Sequence, residues 1–307
     1  MIGVVFPGHG AEQPKMALDW IESDEFAASL VELAGAEADF DALRMLRRGG
    51  PRFHDTTVVQ PLLTAVTLAL LDGLTRVGFR PDFAAGHSLG ELSAWSAAGG
   101  LDAVEAVRLA AARGRILGEL CASTPGAMLS LRVDEHGVEA ALALGRGHGR
   151  CDLGVHNGPT SWVLTGDEAA LRRVSAEFGG TFVRTTGPWH SRALEAGLPA
   201  FRDAIEARTR HERSIPIAAN HTGDWIRPGD EFESPFVEQM CGTVRWADCA
   251  ARMQPATDIV MVGPSKVLAS LLRDNWPADD VSSSRLPRLH RVESARDIGT
   301  VLEALGV

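Results

Sequence analysis

Short apolar blocks at residues 2–6, 83–86, 215–218 and 259–262 punctuate the chain, and longer stretches with apolar positions at helical spacing separate them. Blocks this short and this uniformly apolar read as parallel strands covered on both faces. Helical spacing runs over 16–33, followed by a polar, less patterned stretch to His54. Residues 56–61 then turn into a helix over 62–74 that is apolar on every side and reads as buried. Asp102 stands where an N-cap belongs for a helix over 103–120. From Gly126 the texture changes to a strand over 127–133, a helix over 138–144, strands over 153–156 and 161–165, a helix over 168–178 and a strand over 181–185. That order, β-α-β-β-α-β, predicts a small ferredoxin-like unit. A helix over 193–209, a core strand at 215–218 and a last core strand at 259–262 follow. Residues 276–307 combine a serine-rich linker with a terminal helix.

The fold expected is α/β: a hydrolase-like core with a parallel sheet over 1–124 and 188–307, and an inserted ferredoxin-like α+β domain over 125–187. The 307 residues suffice for a sizeable core. A formal charge of −10 argues against nucleic acid as a partner, although a local basic patch can still receive an acidic carrier protein. The four cysteines lack any C-x-x-C pair, so neither a disulfide scaffold nor a zinc site is suggested, and a cytoplasmic setting fits. Residues 1–6 do not resemble a signal peptide, and no run approaches the ~18 apolar residues of a membrane span. No membrane partner is expected.

The chemistry concentrates at Gly86-His-Ser-Leu-Gly90, a Gly-x-Ser-x-Gly pattern between an apolar strand and an alanine-rich helical run. That is the context of a nucleophile elbow, with Ser88 lifted into a cleft at a helix N-terminus. There the N–H of Leu89 faces a developing oxyanion. A glycine-bracketed turn whose serine caps a helix is the competing reading. A serine nucleophile needs a base, and ten histidines are available. His87 diverges from its neighbour on a tight turn and is expected to pack beneath it. His136, His148, His211 and His290 sit where solvated surface is the default. His190 follows a strand, lies beside Pro188 and comes after the serine in the chain, so it is the candidate base. No aspartate stands out as its orienting partner; a backbone carbonyl can serve, and the loop around Gly263 is a candidate.

Several separated stretches together resemble the malonyl-CoA:acyl carrier protein transacylase family, including the acyltransferase domains of polyketide synthases. They are Phe6-Pro-Gly-His-Gly10 with Met16, Gln60-Pro61, Gly86–Gly90 with Glu91 and Ser93, Arg113-Gly114, Asn157, Trp189-His-Ser191, Val244-Arg-Trp246 and Val262-Gly-Pro-Ser-Lys-Val267. The resemblance implies a Ser88 acyl ester, His190 as base and then acid, and an oxyanion hole from the backbone N–H groups of Leu89 and His9. It places Arg113 against the free carboxylate of a malonyl-type group, with Trp189, Asn157 and Gln60 as further substrate-binding residues. A guanidinium fork suits that anion. Three departures from the family pattern stand out. The usual Gly-Gln-Gly-Ser-Gln is here Gly8-His-Gly-Ala-Glu12, which brings a carboxylate towards the cleft. Trp189 replaces the Phe or Ser of many members and disfavours an α-branched acyl group. Ser265 replaces a usual glycine.

The resemblance implies malonyl transfer from coenzyme A through Ser88 to the pantetheine thiol of an acyl carrier protein, with no metal or redox cofactor. Two alternatives stand beside it: an acyl-carrier-protein hydrolase or carrier-to-carrier transferase of a larger acyl group, and an inactive carrier-binding scaffold.

Overall fold

The structure is a computed structural model that describes residues 1–276 and 286–306. In chain order the strands are β1 (Ile2–Phe6), β2 (Phe83–Gly86), β3 (Ala127–Arg132), β4 (Cys151–Gly158), β5 (Ser161–Gly166), β6 (Thr181–Phe182), β7 (Ile217–Ala218), β8 (Trp225–Ile226), β9 (Asp258–Val262) and β10 (Arg288–Val292). Six form one sheet in the order β10-β9-β1-β2-β7-β8. All neighbours are parallel except β7 and β8, which run antiparallel. The apolar blocks therefore occupy the covered centre of the sheet, where Val4, Val5, Phe6, Val260 and Met261 are wholly buried. Because β1 and β2 run side by side in the same direction, the loops after Phe6 and Gly86 open together at one edge. That edge carries the site.

The strand at 259–262 is not the last of the core, as its sequence suggests. β10 adds beyond it, its charged Arg288, His290 and Arg291 being compatible with an edge position rather than a central one. His290 is correspondingly not a solvated surface group. Its Nε2 lies 2.7 Å from Asp258 Oδ1, and Arg288 shares that carboxylate.

The apolar helix starts earlier than predicted, spanning Thr56–Arg76 with Pro61 inside it. Asp55 caps it by accepting from the Thr57 N–H. By length and composition this helix does meet the requirement for a membrane span, contrary to the expectation that no run would, but 89% of its most apolar window is buried inside the protein. Each fully buried leucine in it contributes on the order of 1.5–3 kcal/mol. The helix over 16–33 divides into Leu18–Ser23 and Glu25–Ala38, because the Asp24 side chain leaves the first helix to cap the second. A further helix, Ala42–Arg48, lies within the stretch read as unpatterned. The helix over 193–209 becomes a 3-10 turn, Arg192–Gly197, followed by Leu198–Glu206. The serine-rich linker lies outside the described residues; the terminal helix is present as Ala295–Leu305.

The second sheet has the order β4-β5-β3-β6 and is antiparallel throughout. Helices Glu135–Arg146 and Glu168–Phe178 pack on it around Leu129, Leu131, Leu164, Leu171 and Val174. It is tied to the large sheet's side through His156 N–H to the Val244 carbonyl at 2.9 Å and Thr243 Oγ1 to the Leu153 carbonyl at 2.6 Å.

Candidate active site

Ser88 sits at the tip of the turn between β2 and the helix Gly90–Ala97, with φ at 51°, in the left-handed region that side chains avoid. The turn is possible only because its flanks are glycine. A Cβ on Gly86 would lie 2.0 Å from the Gly90 carbonyl, and one on Gly90 would lie 2.3 Å from the Phe6 carbonyl. Asn220, after β7, fastens the turn from below. Its Oδ1 accepts from the Ser88 N–H at 2.7 Å and its Nδ2 donates to the Gly86 carbonyl at 2.7 Å.

His190 meets this serine from the other side, with Nε2 2.8 Å from Ser88 Oγ. It too is held at positive φ, 59°. Its Nδ1 lies 2.8 Å from the Gln239 carbonyl. A carbonyl only accepts, so Nδ1 carries the proton and Nε2 is left bare towards the hydroxyl. The orienting group is thus a backbone carbonyl, but from the end of helix Glu233–Glu238 and not from the Gly263 loop. Burial, reinforced by the nearby positive charge of Arg113, takes the His190 pKa down to about 3, so the free imidazole is neutral and able to accept a proton.

Arg113 projects from helix Ala103–Ser123 into the same place and is 4% exposed. Its Nη1 donates to Gln60 Oε1 at 2.8 Å and its Nη2 to Gln239 Oε1 at 3.1 Å. Among the described residues it forms no ion pair. Burial brings its pKa to about 10, against the opposing pull of Glu91. Glu91, in the first turn after the elbow, is itself pushed up to about 7 by burial and accepts from Asn220 N–H at 2.8 Å and Gln239 Nε2 at 2.7 Å. Gln239 also donates to the Ser88 carbonyl at 2.8 Å. One network therefore fixes the elbow, the imidazole and the guanidinium together.

The remaining candidates divide. Ser88, His190, Leu89, His9, Arg113, Gln60 and Trp189 line one inner pocket. Among the described residues no acceptor is bonded to the backbone N–H of His9 or Leu89, so both can point donors at an oxygen. Gln60 lines this pocket with its Oε1 accepting from Arg113 and its Nε2 donating to Thr56. Asn157 lines the outer cleft, and its Oδ1 is engaged with His87 Nε2 at 2.8 Å. His87 packs beneath the turn against Trp246, as expected, with burial lowering its pKa. Glu12 does not bring a free charge to the cleft. It is 9% exposed, accepts from Gly10 N–H at 2.6 Å and lies 2.7 Å from His54 Nδ1. Ser265, which had no assigned consequence, donates through N–H and Oγ to Glu293 and so ties the loop after β9 to the end of β10. The sequence pointed to neither Asn220 nor Gln239: each lies more than a hundred residues from the serine, in a segment without a motif.

Outside the inner pocket the loops after β1 and β2 face the second sheet across a cleft of about 380 Å³, walled by Met128, Val155, Val163 and Leu271 among others. A serine and a neutral histidine in hydrogen-bond contact, beside unpaired amides and at the end of an apolar cleft, define an enzyme that transfers acyl groups. The chain belongs to the acyl transferase domain family, whose model matches residues 4–294. It is 32% identical, over 99% of its length, to the phenolphthiocerol synthesis polyketide synthase type I Pks15/1 of Mycobacterium marinum, of which it spans only 14%. It is 27% identical, over 89% of its length, to the malonyl CoA-acyl carrier protein transacylase of Synechocystis sp., of which it spans 93%. The crystal structure of acyl-carrier-protein-S-malonyltransferase from Bartonella henselae matches with a TM-score of 0.88 at 25% identity, covering 100% of this chain and 99% of that one.

Proposed function

We propose that this acyltransferase moves a malonyl group from coenzyme A to the pantetheine thiol of an acyl carrier protein through an ester on Ser88. The observation that carries the choice of acyl group is Arg113: a buried guanidinium, held by two amides and lacking a carboxylate partner among the described residues, in the pocket that Ser88 and His190 share. An uncompensated buried charge is costly to maintain. A malonyl carboxylate supplies the missing partner, which favours carboxyacyl transfer over a generic thioesterase.

In the reaction, Ser88 Oγ attacks the thioester carbonyl while its proton passes to His190 Nε2. The N–H groups of Leu89 and His9 receive the negative oxygen of the tetrahedral intermediate. The carbon–sulfur bond breaks, the His190 proton goes to the coenzyme A sulfur, and the acyl group remains on Ser88. The carrier thiol then reverses the sequence, giving its proton to His190, which returns it to Ser88. The acyl carboxylate also has an electrostatic effect on the base: by neutralising Arg113 it weakens a charge that opposes protonation of His190.

The thioester is already activated, so neither a metal nor a redox cofactor enters the scheme. The outer cleft accommodates an extended thioester arm, with the partly exposed Val183 and Val267 lining it. We read the β-α-β-β-α-β layer, 125–187, as an inserted ferredoxin-like domain that supplies one wall of this cleft; its strand order is consistent with that motif. Free, buried Cys121, Cys151, Cys241 and Cys249 suit a reducing, cytoplasmic setting. Intact-protein mass after exposure to malonyl-CoA tests the reading. A stable malonyl adduct that is discharged by a pantetheinylated carrier is expected; turnover to free malonate without an adduct would indicate a hydrolase, and no reaction a scaffold.

A further inference from the structure

The loop after β1 places a second unusual group in the acyl pocket. The His9 side chain is 9% exposed, and neither Nδ1 nor Nε2 makes a well-formed hydrogen bond; the His54 backbone and the Glu12 carboxylate come near enough only to offset part of the effect of burial. Its ring packs on Trp189, centroid to centroid 4.4 Å, and lines the pocket with Gln60, Arg113 and Ser88. The nearest carboxylate does not satisfy it. Glu12 Oε1 is 3.9 Å from Nε2, beyond hydrogen-bond reach, and the two Glu12 oxygens are committed to His54 and Gly10. The pocket itself has a free volume of about 10 Å³, no more than one water molecule needs.

A buried imidazole with both nitrogens unpaired is an unfavourable arrangement unless something arrives to pair it. What arrives must be small, must accept a hydrogen bond and must suit a site beside a guanidinium. We propose that the His9 imidazole is a specificity-determining contact, donating its ring N–H to the free carboxylate of the acyl group while Arg113 holds the same carboxylate. This rests on the carboxyacyl reading above and deepens it. The His9 backbone serves the oxyanion while its side chain reads the far end of the acyl unit, so that one residue spans the group being transferred. Neutrality of the imidazole agrees, since burial takes its pKa to about 4 and leaves one N–H to donate.

The test compares His9→Phe, which keeps a ring against Trp189 and removes both nitrogens, with His9→Gln, which keeps a donor. Initial rates of Ser88 acylation by malonyl-CoA and acetyl-CoA are measured by intact mass, and thermal unfolding confirms that each variant is folded. The ratio of malonyl to acetyl rates is expected to fall about 10- to 100-fold in His9→Phe, the scale of one hydrogen bond to a charged group, and to stay within about threefold of wild type in His9→Gln. An unchanged ratio in His9→Phe overturns the proposal, as do equal losses for both esters, which assign His9 to the shape of the loop. A second measurement is independent of turnover: imidazole ¹⁵N spectra of the wild type titrated with free malonate, the His9 resonance being assigned by its loss in His9→Gln. A shift of that resonance is expected, and its absence overturns the proposal even if His9→Phe fails to fold. If the wild type takes no malonyl group from coenzyme A, the acyltransfer reading falls, and the malonate titration alone decides whether His9 reads a carboxylate.

Discussion

The backbone carbonyl of Gln239 lies 2.8 Å from Nδ1 of His190, while the Gln239 side chain holds Arg113 and Glu91. The placement of the imidazole and that of the guanidinium therefore depend on one residue by separable means. Gln239→Ala keeps the carbonyl and removes the amide, so the imidazole remains oriented while Arg113 Nη2 and a buried Glu91 oxygen lose a partner. One unsatisfied buried group costs about 1–3 kcal/mol. Malonyl acylation is expected to fall roughly 5- to 150-fold by that cost, measured as the single-turnover rate; an effect as large as that of His190→Ala would mean that the carbonyl had moved as well.

Ser88→Ala should abolish self-acylation with the fold intact, because the elbow is shaped by Gly86, Gly90 and Asn220 and not by the hydroxyl. His190→Ala should slow acylation about 10²- to 10⁴-fold, the usual worth of a general base. His87→Ala should act mainly on stability, since its ring is occupied with Asn157 and Trp246. Rate and unfolding measurements on the three variants check this. Rate control by His87 in a well-folded protein would reassign the base.

Arg113→Ala should remove the charged contact to the malonyl carboxylate. Losing one partner of such a pair costs about 2–5 kcal/mol, so malonyl transfer should fall by roughly one and a half to three and a half orders of magnitude. Acetyl carries no carboxylate, so the malonyl-to-acetyl ratio should collapse. Parallel losses with the two esters would assign Arg113 to the fold or to coenzyme A.

Trp189→Ser should open the pocket near the acyl α-carbon and raise methylmalonyl transfer relative to malonyl. One methyl group is worth about 1–3 kcal/mol of discrimination, so the change should be partial. Competition between the two coenzyme A esters measures it, and an unaltered product ratio would show that the indole does not limit the acyl group.

Stability should fall as pH drops from 6.5 towards 5. His9 and His190, lowered to about 4 and about 3, stay neutral in the folded protein while their unfolded counterparts take up protons, and burial lowers His87 in the same direction. Glu91, raised to about 7, binds its proton more readily when folded and opposes the trend, but it is one group against at least two. The net slope is on the order of 1 kcal/mol per pH unit near pH 5.5. Urea unfolding at pH 7 and 5.5 reads it, and equal or greater stability at 5.5 would show that the buried imidazoles are not held neutral.

Local patterns were enough for the elbow. Gly-x-Ser-x-Gly after an apolar strand specifies a turn that only glycine permits, and the apolar blocks specify covered parallel strands, because both follow from neighbours in the chain. The order of elements over 127–182 was legible for the same reason. The charged strand β10 was not, since nothing local distinguishes a charged edge strand from a loop until β9 offers it hydrogen bonds. Nor were the partners of the site. Gln239 reaches His190 through its backbone, which every residue type possesses, and Asn220 meets Ser88 only when β7 lies beside β2. His9 looked like a supplier of a backbone amide; only packing against Trp189 left its ring buried and unpaired in the pocket. Residue types and spacing pointed to Ser88 and His190 as candidate nucleophile and base, and the family resemblance pointed to Arg113, whereas their distances, protonation states and shared scaffold arose from contacts between segments far apart in sequence.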